Sequence, residues 1–119
     1  MAKNNDAFAD RLSRSKEITL TVTGRKSGKQ ISNPVWFVFD DGTLYLLPAR
    51  GSDTQWYKNV LQNPSIRVDA GKAKAELNVV ALTDAKRVKP VIEKFRAKYG
   101  DSGIKLYTRL NVAVVAQTR

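Results

Sequence analysis

A chain of 119 residues, 42% of them apolar, suffices for one globular domain, residues 1–119, with a modest core. Zero cysteines and zero histidines exclude disulfides, thiolate catalysis, a histidine base and the common thiolate or imidazole metal sites, so no metal is expected. The net charge of +10, from 21 basic and 11 acidic residues, suits either a solvated basic surface or a polyanionic partner: nucleic acid, acidic lipid or a charged cofactor.

No run approaches the roughly 18 apolar residues of a membrane span. The stretch Met1-Ala2-Lys3-Asn4-Asn5-Asp6 lacks the apolar centre of a signal peptide, which makes a cytoplasmic location the expectation. Without the usual proton shuttle, hydride or electron transfer on a bound organic cofactor is favoured over hydrolysis.

Asp6 to Ser15 reads as an amphipathic helix with Phe8 and Leu12 on its apolar stripe. Glu17 to Thr23 alternates Ile18, Leu20 and Val22 against Thr19, Thr21 and Thr23, a half-buried strand. Gln30 to Phe39 reads as a second strand, apolar on both faces from Val35 and bent or at an edge at Pro34, which cannot donate a ladder hydrogen bond. Asp40-Asp41-Gly42 is a hairpin turn, and Thr43 to Leu47 returns as strand three. Ser52 or Asp53 is the expected cap of a helix to Gln62, stopped by Asn63-Pro64. Ser65 to Ala70 and Ala73 to Leu82 form a hairpin around Gly71-Lys72. Thr83 or Asp84 caps a helix to Tyr99 that Gly100 ends, with Pro90 kinking it or delaying its start. Asp101 to Tyr107 reads as a short helical turn and Leu110 to Gln117 as a last strand. The class is mainly β with flanking helices (α+β): about six antiparallel strands in a small barrel with helices packed outside.

Three constellations could carry chemistry. In Thr23-Gly24-Arg25-Lys26-Ser27-Gly28-Lys29, two glycines allow a tight turn and close approach, while Arg25, Lys26 and Lys29 could grip a phosphate and Ser27 donate to it. The same residues also suit an ordinary solvated hairpin turn. Arg50 in Ala49-Arg50-Gly51-Ser52 puts a cation before a helix whose dipole favours anions. On that helix Trp56 and Asn59, three apart, share a face: an aromatic plane beside an amide suits a flat heteroaromatic ring, or Trp56 simply packs the helix. Tyr99 and Tyr107 could line a pocket and donate protons, or cap the core edge. Glu93, Lys94, Arg96 and Lys98 read as a solvated helix face.

Taken together, Thr23-Gly24-Arg25-Lys26-Ser27-Gly28, Asn33-Pro34, Ala49-Arg50-Gly51 and Trp56-Tyr57-x-Asn59-x-x-x-Asn63-Pro64 resemble the deazaflavin-dependent nitroreductase family of the flavin-binding split β-barrel superfamily, from about Thr21 to Asp69. The resemblance implies a split β-barrel and reduced coenzyme F-420, a deazaflavin with a phosphate and a polyanionic tail, as cofactor. It implies that Arg25 and Lys26 hold the phosphate and tail, with Arg50 at the position of a family phosphate-binding lysine. Asn33, Pro34 and Val35 would contact the cofactor, and Trp56 and Asn59 would border its cleft. Where the family often has an arginine two residues before Asn-Pro, this chain has Ile31; Lys29 could compensate, or the change could signal another cofactor such as FMN.

The activity implied is hydride transfer from reduced coenzyme F-420 to a small flat electron acceptor: a quinone, nitroaromatic or enone. The alternatives are an FMN-binding or non-catalytic cofactor-binding barrel and a basic nucleic-acid-binding barrel stacking bases on Trp36, Phe37 and Tyr45. The apolar surroundings of Trp36 and Phe37 speak against the last. A homodimer fits the resemblance, since split barrels often dimerise.

Overall fold

The computed structural model describes residues 3–118, with side chains from Phe8 onward. The N-terminal stretch read above as lacking a signal peptide begins outside the described residues. Among the described residues the elements run α1 (Lys3–Arg14), β1 (Glu17–Thr23), β2 (Gln30–Trp36), β3 (Val38–Asp40), β4 (Thr43–Leu46), α2 (Gln55–Gln62), β5 (Ser65–Ala70), β6 (Ala73–Leu82), α3 (Ala85–Ile104) and β7 (Ala113–Gln117).

The strands form one antiparallel sheet ordered β2-β1-β5-β6-β7-β4-β3. That order has a geometric consequence. β2 and β3 lie at opposite edges, yet a single residue, Phe37, separates them in the chain. The sheet must therefore curl until its edges nearly meet, which makes an open, split barrel. The predicted second strand is in fact two, broken at Phe37, and this raises the strand count from about six to seven.

Period-two patterning delivers the core. Ile18, Leu20 and Val22 of β1 and Ile66 and Val68 of β5 point inward and are at most 3% exposed, joined by Phe8 and Leu12 of α1. A second cluster, Val38, Leu47, Val88, Val91, Phe95, Ile104 and Ala113, lies under α3.

The seam between the two edges is held from α3. The Tyr99 hydroxyl accepts from Phe37 N at 3.0 Å and lies 2.8 Å from Phe37 O and 2.7 Å from Lys16 O, to either of which it can donate. Lys98 Nζ donates to Phe37 O at 2.9 Å and sits 3.6 Å from the Phe37 ring centroid. Burial holds the Lys98 ammonium below its ordinary pKa. The residues read as a solvated face are thus partly engaged: Lys98 closes the seam, and Lys94 pairs with Asp40 at 2.6 Å and stands over Tyr45.

Several boundaries shift. The cap of α2 is Thr54 rather than Ser52 or Asp53, because Gly51–Asp53 already winds as a 3-10 turn. α3 starts directly after Asp84, whose carboxylate accepts from Lys86 N, and carries Pro90 inside it. Gly100 (φ 81°, ψ 171°) interrupts it, and the helical turn expected after Gly100 is its last stretch. The last strand begins at Ala113 instead of Leu110, since the segment before it is drawn to another loop.

Candidate functional site

The cationic Gly turn closes on itself through Gly28 N donating to Gly24 O (2.9 Å) and Gly24 N donating to Lys29 O (2.8 Å). Ser27 Oγ accepts from Lys29 N at 3.1 Å, an inward use of the hydroxyl. The turn is fastened to α2: Asn59 Oδ1 accepts from Arg25 N (3.1 Å) and Arg25 Nη1 (2.7 Å), and Gln55 Oε1 accepts from Arg25 Nη2 (3.0 Å). Buried Asn59 therefore faces the turn. Lys26 and Lys29 are exposed at its tip with no side-chain partner among the described residues.

The second cationic loop precedes α2. Arg50 N donates to Thr54 Oγ1 at 2.8 Å, so the helix-capping threonine turns back to hold the loop. The Arg50 guanidinium engages no group among the described residues. Arg50 also forms a parallel bridge with Arg109, which joins the loop to the segment leading into β7.

Beside the Arg50 loop lies a cavity of about 330 Å³, at the lower end of the range for small-molecule sites. Asn33, Pro34, Val35 and Trp36 of β2 form one wall, and Arg50, Thr54 and Trp56 another. Leu106 and Tyr107 cover a third side, and Glu17 stands at the rim. β2 is an edge strand, where proline is tolerated, and its outward backbone is open to a ligand. The structure thus brings Asn33, Pro34, Val35, Arg50 and Trp56 together around one space. Arg25, Lys26, Ser27, Lys29 and Asn59 lie outside that lining. Along the strand, Lys29 is four residues from Asn33, or about 13 Å at the usual rise.

The aromatic wall continues inward. Trp36 stacks on Tyr99 with centroids 4.3 Å apart and planes 6° apart, and Tyr107 approaches Trp36 at 6.4 Å. Burial pushes both tyrosine pKa values up, that of Tyr107 well above the ordinary range. The two differ in use: the Tyr99 hydroxyl serves the seam, whereas the Tyr107 hydroxyl has no partner among the described residues. Local sequence gave no signal for Glu17, Leu47, Thr54 or Leu106 on the cavity wall, since they converge from four separate segments.

Phe37 is fully buried, Trp36 is stacked and half-buried, and Tyr45 lies half-buried beneath Lys94, so these aromatics do not form an exposed stacking face. Among the described residues no carboxylate group of three or more could hold a metal ion, and no helix is long and apolar enough to cross a membrane.

A curled antiparallel sheet whose two edge strands are joined through Phe37 defines a split β-barrel. The family model of F-420-H(2)-dependent quinone reductases matches residues 1–117, and the chain belongs to that family, a family of F-420-dependent reductases. The family description carries the deazaflavin and lends no support to FMN. The fold is shared with a solved F-420-H2-dependent reductase (FDR-A), at TM-score 0.67 and 23% identity over 86% of this chain and 94% of that one. It is shared with a protein described as a domain-swapped dimer, at 0.69 and 23% over 86% and 80%. HutZ, the heme storage protein of Vibrio cholerae, also has it, at 0.70 and 13% over 98% and 90%. So varied a set shows that the fold alone does not select the chemistry.

Proposed function

We propose that this protein binds reduced coenzyme F-420 with the ring system in the Trp36–Trp56 cavity and reduces a small flat acceptor such as a quinone, nitroaromatic or enone. The observation that carries the reading is the Arg50 guanidinium, without a partner among the described residues, on the wall of an otherwise largely apolar cavity. Such a group needs an anion, and a phosphate beside a flat ring meets that need. The cavity, at about 330 Å³, is too small for a long tail as well as a ring system, and Lys26 and Lys29, exposed before the open edge of β2, would hold the anionic tail. Arg25 and Asn59 support that path by holding the turn, and Ser27 by shaping it.

Reduced coenzyme F-420 supplies a hydride when bound. The chain's own residues would orient the ring beside Trp36 and Trp56, exclude water with Leu106 and Tyr107, and provide a proton. Tyr107 is the candidate donor: it lines the cavity, and its hydroxyl has no partner among the described residues. A quinone that gains one hydride becomes a hydroquinone monoanion, and one proton, from Tyr107 or from water, completes the neutral hydroquinone; a tyrosinate left behind regains its proton from solvent.

The test is a fluorescence titration with coenzyme F-420, with FMN and a short DNA duplex in parallel, followed by spectroscopic assay of cofactor oxidation with each acceptor. Saturable binding of the deazaflavin alone with acceptor-dependent oxidation is expected. Preference for FMN or DNA would overturn the reading. Binding without oxidation of any acceptor would leave a carrier. We also propose a homodimer, a reading supported by the domain-swapped relative and tested by light scattering on the eluted protein.

A further inference from the structure

The Arg50 loop carries its cation on a tight turn held from within by Gly51 N to Pro48 O, Asp53 N to Arg50 O and Arg50 N to Thr54 Oγ1, and from outside by residues 108–111. Gly51 has φ +58°, the left-handed region that a side chain disfavours. A Cβ at Gly51 would run into Asn111 Oδ1 and lie 3.0 Å from Arg109 Cβ and Cγ. This close approach has a purpose in the bonding pattern. Asn111 Oδ1 accepts from Ser52 N at 3.0 Å, and Asn111 Nδ2 donates to Ser52 Oγ at 2.9 Å. Thr108 N donates to Ala49 O at 2.8 Å, and Arg109 Nη1 pairs with Asp53 Oδ2 at 2.9 Å. Residues 108–111 therefore clasp the loop on both sides of Arg50. Asn111 is the one side chain in the clasp that uses both its acceptor and its donor on the loop.

We propose that Asn111 is a positioning residue for Arg50: by locking Gly51 and Ser52 it aims the guanidinium at the cavity and so sets the affinity for an anionic group there. The assignment rests on the reading of Arg50 as the phosphate-holding residue and deepens it. Asn111 does not line that cavity and acts only through the loop. A side effect follows for the chain's architecture. The segment before β7 gives up strand pairing at Leu110 to make the clasp.

The experiment compares wild type, R50A, N111A, S52A and the R50A/N111A double variant, each titrated with coenzyme F-420 and with its phosphate-free deazariboflavin fragment. N111A is expected to weaken coenzyme F-420 about tenfold, the scale of one charge-assisted contact. The fragment's affinity should stay within about twofold, because the ring wall is untouched. S52A, which loses only the hydroxyl acceptor, should fall between wild type and N111A. The double variant should bind no more weakly than R50A alone, since Asn111 works through Arg50. Equal losses for cofactor and fragment, no loss, or additive losses would each overturn the proposal. NMR of ligand-free protein supplies the second readout: N111A should broaden or shift the Arg50 side-chain Nε–H and the Gly51 and Ser52 amides, while core amides stay put. If wild type ignores coenzyme F-420 the functional reading fails, and the Arg50 signals still decide the clasp: unchanged signals sink it.

Discussion

Two short loops, Gly24–Lys29 and Ala49–Asp53, use nearly the same residues: glycine, arginine and serine. The structure gives their arginines opposite roles. Arg25 turns its guanidinium back onto Asn59 and Gln55 and fastens the turn to α2. Arg50 has its backbone held by Thr54 and its neighbours by Asn111, which leaves its guanidinium free at the cavity. An arginine becomes a fastener or a ligand-holding group according to what meets it from elsewhere in the chain. Residue type alone does not distinguish them.

The sharpest way to break this comparison is through the glycines. Gly51→Ala should cost about 3 kcal/mol, combining left-handed strain with overpacking against Asn111 and Arg109. Gly28→Ala, at φ +71° with open space around it, should cost about 1 kcal/mol from strain alone. Urea denaturation measures both; equal costs would mean that the clasp does not press on Gly51. The tyrosines extend the contrast. Tyr99→Phe leaves the Phe37 N–H without its acceptor in a part-buried seam and should cost about 2 kcal/mol. Tyr107→Phe should leave stability at neutral pH within about 0.5 kcal/mol while slowing turnover, read from kcat under saturating acceptor.

The arginines come next. Arg25→Ala should destabilise by about 1.5 kcal/mol, with two side-chain bonds lost. Arg50→Ala should leave thermal stability unchanged yet weaken coenzyme F-420 by about tenfold or more. A stability loss at Arg50 matching that at Arg25 would erase the distinction between them.

The smallest effect is a pH dependence. Tyr99 and Tyr107 have pKa values raised above 10.0, so the folded state keeps protons that the unfolded state has released. Stability therefore falls as pH climbs past about 10 toward the folded values. Lys98 acts oppositely: its pKa lies below 10.5, the folded state loses that proton first, and stability rises with pH up to 10.5. Tyr107 is the more strongly shifted tyrosine, so the net slope above pH 10 should be downward, and Tyr107→Phe should flatten it. A wild-type curve that rises there would show that Lys98 dominates.

Much of the fold was legible from pattern. The alternation at Glu17–Thr23, Ser65–Ala70 and Ala73–Leu82 marks those three strands to the residue, because a one-residue slip would turn Ile18, Leu20 and Val22 out of the core. Of the ten residues that the family resemblance and the cationic turns singled out, Asn33, Pro34, Val35, Arg50 and Trp56 meet at one cavity, whereas Arg25, Lys26, Ser27, Lys29 and Asn59 lie outside its lining. The break at Phe37 could not be seen: Val35 to Phe39 is uniformly apolar, and only closure of the sheet demands that the chain leave one edge and join the other at that residue.

By itself, then, the sequence determined the alternating strands β1, β5 and β6, the core face of β1, the cationic turns and a chemistry free of thiol and imidazole. Only the tertiary structure decided which arginine is free, which tyrosine hydroxyl serves the seam, and that Asn111 reaches a loop 59 residues away in the chain. The reason is physical. Alternation and turn residues act over a few neighbours, where local geometry governs, whereas the engagement of a side chain depends on partners that curling of the sheet brings within hydrogen-bond reach.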